Sequence, residues 1–318
     1  MIYLQHFGLR EPPFGITPDT GFFYACSSMQ AALNTLLVAL SNGEGFIKII
    51  GEVGTGKTLL CRKLLSSLDE SWVSVYIPNP VLDPKALIAT VAEELAAGVA
   101  DMQAARSPGV QPPDLHNADQ RMLIKSIFMS LLGLARHNKR VVVCLDEAQA
   151  MPIETLETLR LLTNLETEKR KLLQVILFGQ PELDQRLATE DIRQLRQRIT
   201  FQHNLGGFTR DETERYLSHR MQMAGGVPGR AVFSRAAAGS IFSASRGVPR
   251  LINILANKSL MLAYGEGVHE VGRREVRAAV TDTPAATQAR TRALWVVWLV
   301  LAVCAAAGLG WFAMGWVR

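Results

Sequence analysis

The stretch "FIKIIGEVGTGKTLLCRKLL", residues 46–65, decides the fold because it places a glycine-rich loop between an apolar run and a helix-forming run. Its central octet, residues 51–58, fits the pattern G-x-x-x-x-G-K-[ST] at every fixed position. Glycines let backbone N–H groups turn toward phosphate oxygens, and the helix that follows adds the positive end of its dipole. The pattern therefore predicts a strand, a phosphate-binding loop and a helix, in that order.

Two side chains of this loop have roles that the chemistry of a nucleotide requires. Lys57 is expected to reach the β- and γ-phosphates, and the hydroxyl of Thr58 to bind Mg²⁺. We therefore predict ATP and Mg²⁺ as cofactors. The predicted nucleotide-binding residues of the loop are Gly51, Glu52, Val53, Gly54, Thr55, Gly56, Lys57, Thr58 and Leu59.

A second motif, "VVVCLDEAQ" at residues 141–149, ends a buried apolar run with two acids. Ligands of open α/β sheets bind where the strands end, so these side chains are expected to face the nucleotide. Asp146 would hold Mg²⁺, and Glu147 would orient or deprotonate the attacking water. Alone, the motif would read equally well as a solvated acidic turn; downstream of a complete phosphate loop, it predicts hydrolysis.

Strands and helices alternate through the first two thirds of the chain. This order predicts a parallel sheet with helices on both faces, an α/β fold of the P-loop nucleoside triphosphatase (NTPase) kind. Residues 98–119 lack periodicity and contain several prolines, which predicts a mobile surface insertion. The predicted strands are 46–50, 73–77, 140–146 and 172–178, and the predicted helices between them include 84–97, 120–138 and 153–168.

From Thr209 onward the pattern becomes wholly helical and predicts a small bundle, whose first helix is capped by Thr209 and runs to Gly225. The predicted organisation is an N-terminal arm and helix at 1–45, the α/β core at 46–207, a C-terminal α-helical lid at 208–281 and a linker at 282–293.

Residues 293–317 contain no charge. As a helix, this stretch would be about 37 Å long, enough to cross a hydrocarbon core of about 30 Å. We predict one transmembrane helix at 294–317. Arginines precede it and only Arg318 follows it, which places the bulk of the chain in the cytoplasm, at a bacterial inner membrane. The four cysteines form no C-x-x-C pair, as is typical of a reduced cytoplasmic protein.

Four further polar residues stand where a nucleotide could be reached, although each alone could be an ordinary surface residue. Gln180 follows the strand predicted at 172–178, and Arg250 begins a helix of the bundle. Arg196 and Arg198 lie near the end of the predicted core, where an arginine could be presented to the nucleotide of a neighbouring subunit.

In this order, these features resemble an AAA+ ATPase, and more specifically the ExeA/GspA group of secretion-associated ATPases, closest to those of mannose-sensitive haemagglutinin (MSHA) pilus biogenesis. The strings that carry the resemblance include "YLQHFGLREPPFGITPDT", "LRLLTNLETEKRKLLQVILFGQPELDQRL" and "SRGVPRLINILANKSLMLAYG".

The resemblance implies roles for the matched positions. Gln180 becomes the first sensor and Arg250 the second, which also contacts the nucleotide. Arg198 is the preferred arginine finger and Arg196 the second choice, and the segment around Pro18 lines the adenine. A homo-oligomer is implied as well. Gln180 departs from the Asn or Thr that is common at the first sensor of AAA+ proteins.

The sequence thus predicts a membrane-anchored cytoplasmic ATPase that supports assembly of a type IV (MSHA-type) pilus or a related secretion system, with assembly proteins and not nucleic acid as partners. Two alternatives stay open. One is a DNA-acting ATPase of transposition or replication initiation, for which the net charge of +5 would be suitable. The other is a scaffold that binds nucleotide without turnover.

Overall fold

The structure is a computed structural model that describes residues 2–104, 118–167 and 171–286. Two compact units make up these residues: 18–206 form one, and 2–17 together with 207–286 form the other. In the described ranges, no helix has both the length and the apolar character needed to cross a bilayer. The transmembrane helix predicted at 294–317, the end of the predicted linker and most of the predicted insertion lie outside the described residues.

The first unit is built on one five-stranded sheet in which neighbouring strands are parallel. Every residue of its first and fourth strands is buried. Because successive side chains point to opposite faces, both faces of the sheet are covered, which confirms the predicted α/β class. The strand order is β2-β3-β4-β1-β5, with β1 at Phe46–Gly51, β2 at Trp72–Ile77, β3 at Arg140–Leu145, β4 at Gln174–Gly179 and β5 at Ile199–Leu205.

Seven α-helices of this unit cover or flank the sheet. They are α2 at Ser27–Ser41, α3 at Lys57–Ser67, α4 at Pro84–Ala104, α5 at Gln120–Arg136, α6 at Ile153–Leu162, α7 at Pro181–Leu187 and α8 at Arg193–Arg198. Apolar residues recur on α4 every four positions, at Leu87, Val91 and Leu95, and all three are fully buried in the core. This spacing places one apolar stripe of α4 against the core.

Three predicted boundaries are wrong. The helix α4 continues to Ala104, so the predicted insertion cannot begin at 98. The insertion also ends early, because Ala118 is buried in the core and Asp119 caps α5 through its side chain, which accepts from the N–H of Met122. The helix α6 ends at Leu162 instead of 168.

The strand β5 was not predicted. It pairs in parallel with β1, and its residues alternate between half-buried and exposed positions until the buried Leu205. Alternation of this kind fits the edge of a sheet, where one face and one side meet water. The sequence "ITFQHNL" contains only three strongly apolar residues, so the apolar run that marks the central strands is missing.

The second unit is helical. Its first α-helix after the sheet is capped as predicted: the hydroxyl of Thr209 accepts from the N–H of Glu212 at 3.2 Å, and the Glu212 carboxylate accepts from the N–H of Thr209 at 2.9 Å. The helix ends at Met223, two residues before the predicted Gly225. The helices are α1 at Leu4–Phe7, α9 at Arg210–Met223, α10 at Arg235–Ser245, α11 at Pro249–Gly265 and α12 at Arg273–Thr281.

The first 17 residues pack against this helical unit and do not form a separate arm with α2. Tyr3 donates to the side-chain oxygen of Asn257 at 2.6 Å, and Asn253 donates to the carbonyl of Gly15 at 3.2 Å. Arg220 adds a bond to the carbonyl of Pro13. The chain therefore begins in the helical unit, crosses into the α/β unit at 18, and returns at 207.

Candidate nucleotide-binding site

The strand order brings the predicted motifs together at the carboxyl ends of three neighbouring strands. β1, β4 and β3 are neighbours, and all three run in the same direction. The glycine-rich loop follows β1, Gln180 follows β4, and Asp146 follows β3. Residues that are 88 or more positions apart in sequence therefore meet where the strands end, as Thr58 and Asp146 do.

The loop has a backbone that only glycine accepts at several positions. Gly54 and Gly56 have φ values of 83° and 100°, in the left-handed region. Gly51 is required for a different reason: a Cβ there would come within 2.7 Å of Thr55 Oγ1 and 2.9 Å of the Leu205 carbonyl. The loop is thus held in a wrapped shape that turns its N–H groups inward.

Lys57 is buried at the start of α3 and points back into its own loop. Its Nζ donates to the carbonyls of Gly51 at 2.8 Å and Glu52 at 3.1 Å. Burial lowers the pKa of Lys57, while the carboxylates around it, led by Glu147 and Asp146, act in the opposite direction. A phosphate is a stronger partner for a buried ammonium than two carbonyls, so the arrangement favours an anionic ligand.

Thr58 and Asp146 supply the oxygen atoms expected of a magnesium site. The Thr58 hydroxyl donates to Asp146 Oδ2 at 2.5 Å, and Asp146 is only 2% exposed. Burial raises the pKa of Asp146; the bonds from Thr58 and from the Glu147 N–H oppose that rise. Hydroxyl and carboxylate oxygens are ligands that Mg²⁺ prefers, so these two residues fit the ion and would hold it beside the phosphates.

Glu147 lies next to Asp146 in a left-handed backbone conformation, with φ at 53°. Its Oε2 accepts hydrogen bonds from Gln149 at 2.6 Å and from Gln180 at 2.9 Å. Burial raises the pKa of Glu147, but these two bonds and the charge of Lys57 outweigh that effect and hold the pKa below its ordinary value. The carboxylate is therefore ionised at neutral pH, as a group that accepts a proton from water must be.

Gln149 and Tyr76 are members of the site to which the sequence assigned no role. Gln149 donates to Glu147 and also accepts from the backbone N–H of Gln180 at 3.0 Å, so it links β3 to β4. Arg186 in turn holds the Gln149 carbonyl at 2.7 Å. Tyr76, the penultimate residue of β2, has its hydroxyl 3.4 Å from Asp146 Oδ2, and burial is the main cause that raises its pKa to about 12. Only the fold reveals these partners, because nothing in the local sequence distinguishes them.

The remaining predicted residues are distributed as follows. The Pro18 carbonyl accepts from Arg62 of α3 at 2.9 Å, which ties its segment to the helix after the loop. Arg196 is exposed on α8, whereas Arg198 is half-buried and makes two long contacts of 3.4 Å, to the carbonyl of Arg160 and to Thr163 Oγ1. Arg250 lies in the first turn of α11 in the helical unit, and its contact with a nucleotide stays a prediction, as does the adenine contact of Pro18.

Comparison with known proteins agrees with this arrangement. Residues 40–187 match the family model described as an AAA domain. The chain is also 36% identical over 317 residues to general secretion pathway protein A of Aeromonas hydrophila. That match covers 99% of this chain and 54% of the relative, so the chain spans about half the length of the curated protein it resembles.

Solved structures share the fold at low sequence identity. Cdc6p from Pyrobaculum aerophilum aligns with a TM-score of 0.60 at 19% identity, covering 84% of this chain and 71% of that one. A Walker-type ATPase of Pyrococcus abyssi aligns with a TM-score of 0.59 at 15% identity, covering 89% and 79%. Together with the match over residues 40–187, these likenesses show that the chain has the P-loop AAA+ fold.

Proposed function

We propose that this protein is an ATPase that hydrolyses Mg²⁺-bound ATP at the carboxyl ends of the sheet strands. The observation that carries the proposal is the group formed by buried Lys57, the bonded pair Thr58 and Asp146, and Glu147 beside them, whose carboxylate accepts from two glutamines. Lys57 and the loop N–H groups hold the triphosphate, and Thr58 and Asp146 hold the metal. Glu147 accepts the proton of the attacking water, with Gln180 positioned beside it by a direct bond.

The proposal extends to the biological role that the sequence suggests. The protein works at a bacterial inner membrane as an oligomer, held by the stretch at 294–317, and supports assembly of a type IV (MSHA-type) pilus, as an MshM-type ATPase, or of a related secretion system. Support comes from the identity to general secretion pathway protein A along 99% of this chain. The DNA-acting alternative is not favoured, because likeness to Cdc6p at 19% identity extends to the fold alone.

A trapping experiment tests this role. Glu147→Gln, isosteric with the wild type, is expected to bind ATP and to stall before turnover, so its complexes should persist. Membranes from cells that carry the tagged variant are solubilised with ATP present, and the co-purified proteins are identified and compared with those captured by Lys57→Ala. The proposal requires pilus or secretion assembly proteins to be enriched in the Glu147→Gln sample and surface pili or secreted product to be lost in those cells.

Two results would contradict the role. Normal surface assembly in cells whose only copy is Glu147→Gln would separate the ATPase from the pathway. Equal capture of the same partners by Lys57→Ala would show that binding to them does not depend on nucleotide.

A further inference from the structure

Positive charge is concentrated in the helical unit. Residues 207–286 contain 11 Lys and Arg against 7 Asp and Glu, whereas residues 18–206 contain 19 against 21. Within the helical unit, four arginines line one groove with a volume of about 850 Å³, and no Asp or Glu lines it among the described residues. We call this surface the arginine groove. The four residues are Arg210, Arg246, Arg273 and Arg277.

Three helices build the arginine groove. Arg210 begins α9 and lays its guanidinium across Gly239 of α10, where a Cβ would come within 2.8 Å of its Nη2. Arg273 and Arg277 are four residues apart on α12, which places them on the same face one turn apart. Arg246 follows α10 directly and is exposed. The guanidinium groups thus come from separate elements to one concave surface.

Three acids of the neighbouring segments are engaged elsewhere. Asp282 accepts from Lys258 at 2.8 Å, and Glu275 is buried, with its carboxylate accepting from the N–H of Gly272 at 2.7 Å. Glu266 pairs with Arg274, which does not line the groove, at 3.6 Å. None of these three acids pairs with Arg273 or Arg277, so a ligand can supply the anions for these two guanidinium groups.

The chemistry of the groove points to phosphate. Arginine presents planar pairs of N–H donors that match two oxygens of a phosphate group, which makes it the residue of choice for phosphate recognition. A bilayer surface, a nucleic acid and free phosphate all offer such groups. The position of the groove along the chain decides among them.

The arginine groove lies next to the part of the chain that we propose to anchor it. Ala286, the last described residue, itself lines the groove, and the uncharged stretch begins seven residues later at Ala293. Seven residues reach about 25 Å at most. If that stretch is held in a bilayer, the groove can never be farther than this from the headgroups, which makes their effective concentration high.

We propose that the arginine groove binds the headgroups of anionic phospholipids. The proposal rests on the membrane anchoring proposed above and adds a second, charge-dependent contact between the helical unit and the bilayer. It predicts that anionic lipids protect the groove of the helical unit from amide exchange, in addition to any contact that the anchor makes.

Hydrogen–deuterium exchange of the full chain in nanodiscs tests the proposal. Discs of phosphatidylcholine alone are compared with discs that contain phosphatidylglycerol. In the anionic discs, exchange in peptides covering 239–246 and 273–281 is expected to slow by about fivefold or more, the factor that one basic residue beside an anionic surface contributes. Inorganic phosphate added to the neutral discs is expected to give no such protection, since it lacks the surface.

Variants locate the effect. Arg273→Gln/Arg277→Gln is expected to abolish the protection, and Gly239→Ala, which displaces the Arg210 guanidinium, to weaken it. The control is Arg235→Gln/Arg274→Gln, which removes the same charge from the same unit at residues that pair with Glu214 and Glu266 and do not line the groove. The control should keep the protection.

Several outcomes would overturn the proposal. Equal exchange in neutral and anionic discs, with the chain still attached, would refute the groove contact while leaving the anchor intact. A chain that does not stay with either kind of disc would refute the anchoring itself. Equal loss of protection in the control variant would mean that the protection depends on the net charge of the helical unit and not on the groove. Protection of the same peptides by duplex DNA and not by anionic discs would make nucleic acid the occupant.

Discussion

Glu147 shows how the site prepares a single side chain for its role. A left-handed backbone is costly for a residue other than glycine, by about 1–2 kcal/mol, and it persists here because Gln149 and Gln180 hold the carboxylate from two directions. The same two bonds keep the group ionised. The residue is therefore positioned and charged before any ligand arrives, which is what electrostatic preorganisation requires.

Gln149→Leu tests whether this support matters. The change removes the donor to Glu147 and the acceptor for the Gln180 N–H at similar side-chain volume. We expect kcat to fall by about 10- to 100-fold, the effect of a catalytic group misplaced by an ångström, with KM for ATP unchanged. Steady-state phosphate release measures both constants. Gln185→Leu, at an exposed position of α7, is the control. A normal kcat in Gln149→Leu would remove Gln149 from the positioning network.

The two candidate arginine fingers differ in what surrounds them. Arg196 is exposed, whereas Arg198 contacts Arg160 of α6 and Thr163, the residue that follows α6. We therefore prefer Arg196 as the arginine that contacts the nucleotide of a neighbouring subunit. This reverses the preference drawn from the sequence. Arg196→Ala is expected to lower kcat by about 10³-fold or more.

Mixing variants shows whether the arginine acts between subunits. Arg196→Ala retains its own nucleotide site, and Lys57→Ala retains its own arginine, so mixed oligomers should regain ATPase activity that neither variant has alone. The same mixture made with Arg198→Ala is the comparison. If only the Arg198→Ala mixture recovers activity, the sequence-based preference was correct.

At the scale of elements, the glycine-rich loop depends on the shape of its backbone. Gly56→Ala places a Cβ at φ 100° and within 2.4 Å of the Met29 side chain. We expect a loss of about 1–2 kcal/mol in unfolding free energy and a clear loss of ATP affinity, because the N–H groups would turn. Denaturant unfolding and nucleotide titration measure the two effects.

Gly43→Ala is the matched control for the loop. Gly43 has φ 77° and no atom near the position of a Cβ, so the backbone cost should be similar while the phosphate loop is untouched. Equal losses of ATP affinity in the two variants would mean that general destabilisation, not loop geometry, sets binding.

The sequence predicted the elements whose signal is local. β1, β3 and β4 are mostly apolar, and the phosphate loop has a fixed spacing, so the strands and the loop could be found directly. β5 could not be found in this way, because only alternate residues of an edge strand are buried and its partner β1 lies about 150 residues away. α6 was drawn too long because the chain reverses soon after it, where Glu166 and Lys171 form an antiparallel bridge. Gln149 and Tyr76 gain their roles only from strands brought together by folding.

At the scale of the whole molecule, the described residues form two units, and the proposed anchor lies beyond them. The chain threads from the helical unit into the α/β unit and back, so a change at the nucleotide is connected to the helical unit by two crossings, at 17–18 and 206–207.

Membrane attachment by 294–317 is tested by truncation. The full chain is expected to stay with membranes after an alkaline carbonate wash, which removes proteins held by charge alone, because a span of about 20 apolar residues inserts stably. A chain ending at Ala286 keeps every described element and should be released. Immunoblotting of pellet and supernatant records both. Release of the full chain would contradict the anchor.

The central claim, that this site hydrolyses ATP, is tested most directly by phosphate release from Glu147→Gln measured beside its ATP affinity. The account predicts that the variant binds ATP as tightly as the wild type and turns it over at least about 100-fold more slowly, while Lys57→Ala fails to bind. A Glu147→Gln protein that releases phosphate at the wild-type rate would contradict it.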